Sequence, residues 1–412
     1  MSSPDITSPS NQRWFMLLLI SLGYVSLTLN WFNVAAAFPL IGTSFGATLP
    51  QLSLLVSLFL AGFGIAHIPG GLLATRIGLK RTVVIGILIE GIGGVLSGIS
   101  PNYATLAIFR VVTGIGGSIF LAVGVAAITV WFTERGLALA LGIGTGVGFC
   151  VGVAMGLYLW GFLQAAVGWH LALVIGGLIG ILIAALTAVA FQTPHHTKTL
   201  QGTPISRAVI REALADRDIW IYGIAMIGAY GAYFTASQFL AEYAVSERHY
   251  TASAGNLLAA LIGLAGIPGS VAGGWFADHY QKTKAAVVLP MFVMAALLLL
   301  IPFTPAGMLW PLGIGIGFVL LFAFTAWSSV PDRVAGISHA NIGTSIGLML
   351  TLSALGGFLV PLGFGRIVPA TGFAGGWIFL AAVSAVFALA GLAGRDHAAT
   401  PKEAEKIART IA

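Results

Sequence analysis

Twelve apolar runs, separated by short joints rich in charge, Pro or Gly, set the plan of this 412-residue chain. They cover Trp14–Ile41, Pro50–Ala74, Thr82–Ile99, Tyr103–Phe132, Leu137–Leu163, Trp169–Phe191, Ile219–Ala241, Ala252–Ala277, Ala285–Phe303, Gly307–Val330, Ile342–Ile367 and Trp377–Leu392. Each approaches or exceeds the ~20 residues that cross about 30 Å of hydrocarbon as a helix. Backbone polar groups in lipid are satisfied only within helices or closed barrels, and runs this long predict helices. The first run follows a polar segment, is too long for a signal-peptide core and has no convincing cleavage site, so it reads as a retained span. The expected fold is an all-α integral membrane protein of twelve helices.

Composition agrees. Hydrophobic residues are 58% and charged residues 8% of the chain, against about 25% charged in a soluble domain. A disordered chain is excluded by the same figures. One cysteine, Cys150, excludes a disulfide framework and a thiolate metal cluster. The net charge of +6 first suggests nucleic acid, but its distribution removes that reading. With the N-terminus placed in the cytoplasm, only Arg248 and Arg366 of the 19 basic residues fall outside, and Arg110 falls within a span. The other 16 sit on cytoplasmic joints and tails, the bias expected of a multi-pass inner-membrane protein with both termini cytoplasmic. Scattered charges of this kind form no nucleic-acid-binding stripe.

The longest joint, 192–218, divides the chain into a six-span bundle at 14–191 and another at 219–394, with tails at 1–13 and 395–412. It carries His195 and His196, which read as loop residues and not as a metal site, and 207–216 suits a short helix on the membrane surface. The halves repeat. Gly71-Leu72-Leu73-Ala74-Thr75-Arg76 follows the second span, and Gly274-Trp275-Phe276-Ala277-Asp278-His279 follows the eighth, 203 positions later. Ile143-Gly144-Thr145 with Gly148 in the fifth span matches Ile342-Gly343-Thr344 with Gly347 in the eleventh, 199 positions later. The pairs Glu134-Arg135 and Asp332-Arg333 precede them. Such repeats are common in secondary transporters.

The stretch Gly71-Leu72-Leu73-Ala74-Thr75-Arg76-Ile77-Gly78-Leu79-Lys80-Arg81 resembles the loop signature of the major facilitator superfamily, with Thr75 in place of its Asp and Leu79 in place of its second Arg. Leu106, Arg110, Gly114 and Gly116 resemble its fourth-span signature, with Arg110 as the membrane arginine. Trp131-Phe132 with Arg135-Gly136-Leu137-Ala138 and Gly142 is similar to the fifth-span entry of monocarboxylate-type porters. The region Gly62–Gly71 is similar to cyanate- and nitrate-type porters, although no arginine lies within the second or eighth span. The acidic-Gly-aromatic signature of animal-type monocarboxylate porters is absent as well.

The resemblance implies two bundles rocking about a central site, with the fifth span meeting the eighth and the second meeting the eleventh. Gly144, Gly148, Gly152 and Gly156 share one face of the fifth span, and small residues at that spacing let helices approach closely. That face is expected to contribute to gating. So are Gly71, Thr75, Arg76 and Gly78, together with Asp278 facing Arg135, and Arg333 at the start of the eleventh helix. Asp278 is expected to hold the cytoplasmic gate more firmly than Thr75.

Enzyme-like patterns fail their context. Gly42-Thr43-Ser44-Phe45-Gly46 matches a hydrolase pattern but follows no strand. Gly142-Ile143-Gly144-Thr145-Gly146 resembles a dinucleotide loop but lies in a membrane helix. No enzyme activity, cofactor or metal is expected.

Ionisable residues within spans are functional candidates because each costs about 2.5–3.5 kcal/mol at mid-membrane. Arg110 requires a carboxylate, backbone carbonyls or an anionic substrate. Glu90 in the third span suits a partner of Arg110 or a proton carrier, and His67 suits proton handling or a packed hydrogen bond. Ser26, Asn30 and Asn33 share one face of the first span, beside Trp31, and should meet a wet cavity or another polar helix. The seventh span carries Tyr230, Tyr233, Ser237, Gln238 and Glu242. Under the resemblance the first and seventh spans line the cavity. The substrate site is therefore expected at Asn30, Asn33, Arg110, Tyr230, Tyr233, Ser237 and Gln238.

The function expected is secondary transport of a small organic or inorganic monoanion by alternating access, with protons as the coupling ion and the protein a monomer in the bilayer. Efflux of amphipathic compounds is the alternative, weakened by the absence of a Gly-Pro pair in Gly144–Gly156. A membrane sensor or scaffold is a third reading, weakened by the absence of a large soluble appendage.

Overall fold

The computed structural model describes residues 10–132, 137–193, 214–280, 282–333 and 342–396. Every regular element among them is helical. The N-terminal half contains α1 (Ser10–Ala36), α2 (Leu49–Ile77), α3 (Leu79–Gly98), α4 (Tyr103–Thr129), α5 (137–167) and α6 (Trp169–Ala190). The C-terminal half contains α7 (Arg217–Ser246), α8 (Ala252–Tyr280), α9 (Thr283–Leu300), α10 (Leu309–Ser328), α11 (342–371) and α12 (373–391). The last two form one 50-residue stretch broken at Gly372, where φ is 73° and ψ is 173°. That φ strains any L side chain, so glycine makes the turn.

The first apolar run proves to be two helices. α1 ends at Ala36, and a short helix, Phe38–Phe45, lies on the distal face. Pro39 explains the stop, because its ring disrupts a helix interior but suits a first turn. Gly78, at φ 86°, makes the tight reversal from α2 to α3.

Termini-side contacts fix the layout. The Gln12 side-chain amide donates to Gln192 Oε1 (2.8 Å), and the Tyr222 hydroxyl donates to the Arg395 carbonyl (2.8 Å). The start of α1 therefore lies beside the end of α6, and the start of α7 beside the end of α12; the contact of Ser53, early in α2, with Gly365, late in α11, puts both pairs on one face. Large apolar side chains along α6, among them Leu178, Leu182, Leu186 and Val189, are exposed. Spacings of three and four residues put them in one stripe, a lipid-facing band.

A further internal match appears once the helices are aligned. Ile68-Pro69-Gly70 in α2 corresponds to Ile267-Pro268-Gly269 in α8, again 199 positions apart. A Cβ on Gly70 would press on Ile119 of α4, and one on Gly269 on Phe318 of α10, so the motif makes the same helix contact in both halves. α2 ends at Ile77 and α8 at Tyr280, so α8 continues four residues further past its proline. Four residues are about one turn, or 6 Å, which accounts for the 203-residue offset of the loop motif.

The halves meet along two seams. On one, a Cβ on Gly365 of α11 would abut Ser53 of α2, one on Gly357 would abut Leu60, and one on Gly64 would abut Ala354. On the other, Gly263 and Gly266 of α8 face Val153 and Cys150 of α5, and Asn256 faces Gly161. Both seams run from the distal face to mid-membrane. Nearer the termini, Gly71, Gly142, Gly146 and Gly347 have open space where a Cβ would stand.

One expectation about these seams is corrected. The Gly144, Gly148, Gly152 and Gly156 face of α5 does not meet α8. It packs within its own half: Gly144 on Leu17 and Ile128, Gly148 on Ser21 and Tyr24, Gly152 on Val25 and Thr28, and Gly156 on Leu29 and Asn33. α1 and α5 are thus held close, and the opposite face of α5 is left for α8. Two π-helical segments, Gly142–Val147 and Met155–Leu159, alter the register of α5. Such turns frequently mark functional segments.

Candidate functional site

The polar residues of α1 turn into the N-terminal half. Asn30 Nδ2 donates to Glu90 Oε1 at 2.9 Å, to the Ser26 carbonyl at 3.1 Å and to the Gly176 carbonyl at 3.2 Å. Ser26 Oγ also donates to Glu90 Oε1, at 3.1 Å. Of the two partners expected for this face, a wet cavity or another polar helix, the geometry supplies the second. Close approach makes it reachable: a Cβ on Gly94 of α3, or on Gly176 of α6, would crowd the Asn30 amide. Glu90 is fully buried, and its Oε2 has no hydrogen-bond partner. A buried carboxyl oxygen without a donor is costly unless the group carries a proton or gains a partner in another state.

Arg110 of α4 is 1% exposed. Its Nη1 donates to the Asn30 carbonyl at 2.8 Å, and its Nη2 to the Trp31 carbonyl at 2.9 Å. Its guanidinium carbon lies 4.9 Å from the centre of the Phe59 ring, and Nε is unpartnered. Two successive carbonyls suit the planar fork of Arg. Glu90 and Arg110 both bond to Asn30, Glu90 through the side chain and Arg110 through the backbone.

Trp31 links this network to the other half. It stacks on Phe59 of α2 (4.7 Å between ring centres, 25° between planes) and on Phe234 of α7 (4.5 Å, 13°). Phe63 and Phe149 lie at 5.3 Å and 6.3 Å. Trp31 is 1% exposed, with its Nε1 buried and unpartnered. Tyr230, also buried, continues the cluster to Phe234 (4.5 Å) and Phe324 (6.5 Å).

The remaining candidates separate clearly. Tyr233 is buried, with its ring 5.0 Å from Phe234. Ser237 Oγ and Gln238 Nε2 both donate to the Phe234 carbonyl, at 3.2 Å and 3.0 Å, leaving Gln238 Oε1 unpartnered. Asn33 lies against Gly176 of α6; its carbonyl accepts from Gln164 Nε2 at 2.8 Å and its Oδ1 has no partner. His67 is buried beside Phe63, with Nδ1 3.3 Å from Ser118 Oγ. Arg76 is exposed at the end of α2. Arg135 and the side chains of Thr75, Asp278 and Arg333 lie outside the described residues.

Sequence reasoning missed Phe59, Phe63, Phe149 and Phe234, and it missed Gln164. Among 25 phenylalanines no local signal distinguishes four. Gln164, a lone amide in an apolar run, was visible as a group that needs a partner.

Two six-helix bundles with a repeated helix contact, and a buried charge pair inside the N-terminal bundle next to the junction, are the plan of a polytopic membrane protein with two pseudo-symmetric halves. The comparisons give the particular family. The model of the Major Facilitator Superfamily matches residues 20–361, and the chain belongs to that superfamily as a multi-pass secondary transporter. It is 24% identical over 93% of its length to the D-galactonate transporter of Escherichia coli O6:H1, covering 96% of that protein. It is 26% identical over 87% of its length to a probable sulfoacetate transporter of Cupriavidus necator, covering 88% of that protein. In fold it is similar to a bacterial homologue of the human lysosomal transporter Spinster in an inward-facing, occupied conformation. The TM-score is 0.75 at 17% identity, covering 96% of this chain and all of that one.

Proposed function

We propose that this protein moves a small organic anion together with a proton across the cytoplasmic membrane, with both termini in the cytoplasm. The observation that carries the reading is Arg110, the one fully buried cation among the described residues, sharing Asn30 with the buried carboxyl of Glu90. When Glu90 is ionised, the two charges cancel. When Glu90 is protonated, the charge of Arg110 stands alone in a low-dielectric interior and attracts an anion strongly. Proton and anion therefore favour each other's binding, which is the thermodynamic content of symport. The relatives named above are transporters of anions and align over most of the chain. With the termini face cytoplasmic, seams closed from the distal face to mid-membrane correspond to an inward-facing state.

The test is thermal stabilisation of the purified monomer by carboxylates, sulfonates and their neutral amides. Stabilisation by an anion, absent with its amide and larger at pH 6 than at pH 8, is the expected result. Equal stabilisation by anion and amide at both pH values overturns the reading.

A further inference from the structure

The groups at the junction of the halves carry information about the body of the substrate as well as its charge. Six aromatic side chains from five helices form one connected cluster there: Trp31, Phe63, Phe149, Tyr230, Phe234 and Phe324. Both halves contribute. Most donors that would recognise a polyhydroxylated acid already serve the protein's own contacts, leaving Asn33 Oδ1 and Gln238 Oε1 as spare acceptors. Asn30 and Asn33 lie against α6, inside the N-terminal half. The donors of Ser237 and Gln238 both end on the Phe234 carbonyl. A sugar acid placed here would lose water from several hydroxyls and find few partners, a large penalty for each unpaired group. An aromatic ring loses nothing polar and gains offset or edge contacts.

Two buried donors are free at the same place, Trp31 Nε1 and Arg110 Nε. Trp31 Nε1 is buried and makes no hydrogen bond, although its ring sits between Phe59 and Phe234. The Arg110 guanidinium packs over the Phe59 ring. When the Trp31–Phe234 contact opens, the cluster offers stacking faces, unused N–H groups and a positive charge beside Phe59.

From this we infer that the transported anion has an aromatic or similarly flat apolar body bearing one carboxylate or sulfonate, with Trp31 as a specificity-determining residue. This inference rests on the anion-transport reading above. The ring of the substrate takes the place of the Trp31–Phe234 contact as the halves separate. Trp31 Nε1 donates to the acid group, and Arg110 supplies the field.

Calorimetric titration of the purified full-length protein with phenylacetate, benzenesulfonate, D-galactonate and phenylacetamide tests it. Both aromatic anions are expected to bind at least about tenfold tighter than D-galactonate and than the neutral amide. The Trp31→Phe variant keeps a ring and loses the N–H. It should bind both aromatic anions more weakly while still preferring them to galactonate. Phe63→Leu, at the edge of the cluster, should cost about three- to tenfold for phenylacetate and leave galactonate unchanged, with both variants checked for monodispersity. Tighter binding of D-galactonate than of phenylacetate overturns this inference and leaves the anion reading standing. Equal binding of phenylacetate and phenylacetamide, or binding of none of the four, overturns both.

Discussion

Trp31 of α1 stacks on Phe234 of α7 with ring centres 4.5 Å apart and planes 13° apart, so the two halves touch through a pair of rings at the centre of the bundle. The backbone behind Trp31 is held by Arg110, and the residue before it holds Glu90. The charge pair therefore acts on the segment of α1 that closes against the other half. Under the proposed symport, a change of protonation at Glu90 has a short physical route to the Trp31–Phe234 contact.

The distal seam offers a direct test of that opening. A Cβ on Gly365 would lie against Ser53. With Cys150→Ala as background, the pair Ser53→Cys and Gly365→Cys should cross-link under mild oxidation. The cross-link should abolish counterflow, and reduction should restore it. Full transport by the cross-linked protein would contradict rocking about this seam.

Arg110→Lys keeps the charge and loses the fork that spans the Asn30 and Trp31 carbonyls. Hydrogen bonds from a charged donor contribute about 1.5–3 kcal/mol each to stability, so loss of one should lower the unfolding midpoint, and the repositioned ammonium should weaken anion binding measurably. Both carbonyls lie in a helix, and the variant should still purify as a folded monomer. Binding isotherms identical to wild type would remove Arg110 from the site.

Glu90→Gln retains an oxygen that accepts from Ser26 and Asn30, whereas Glu90→Leu leaves the Ser26 hydroxyl buried without that partner. Unfolding midpoints should fall for Leu by an amount corresponding to about 1–3 kcal/mol and stay near wild type for Gln. The reverse order would show that the network is not built on acceptance by residue 90.

Two glycines should respond oppositely to one added methyl. A Cβ on Gly116 would collide with the backbone of α3 at Glu90, and overpacking of this kind costs about 1–3 kcal/mol. Gly71 has open space and lies within a helix, where Ala is favoured by up to about 1 kcal/mol. Thermal unfolding of Gly116→Ala and Gly71→Ala in detergent checks both signs.

Much of the fold was legible because the bilayer imposes a length on every crossing. Runs such as Trp169–Phe191 coincide with helices to within a residue or two. Boundaries went astray where no polar loop marks a turn. Pro39 ends α1 within an apolar run, whereas the reversal at Gly372 falls inside the joint expected between the eleventh and twelfth runs. The site was legible in its charges, since Arg110 and Glu90 stand out against lipid. The rotation of α1 was not. Its polar face demanded a partner, but whether α3 or α7 supplies it depends on glycines that admit the Asn30 side chain toward α6. The glycine face of α5 failed for the same reason, because spacing shows that a helix packs closely without saying against which neighbour.

The central claim is that Glu90 carries the coupled proton. Wild-type protein and Glu90→Gln, reconstituted in liposomes, are given a pH step, acid outside, with a labelled anion shown to bind. Wild type should accumulate the anion above its equilibrium level, while Glu90→Gln should exchange it across the membrane without accumulation. Accumulation by Glu90→Gln equal to wild type would contradict the account.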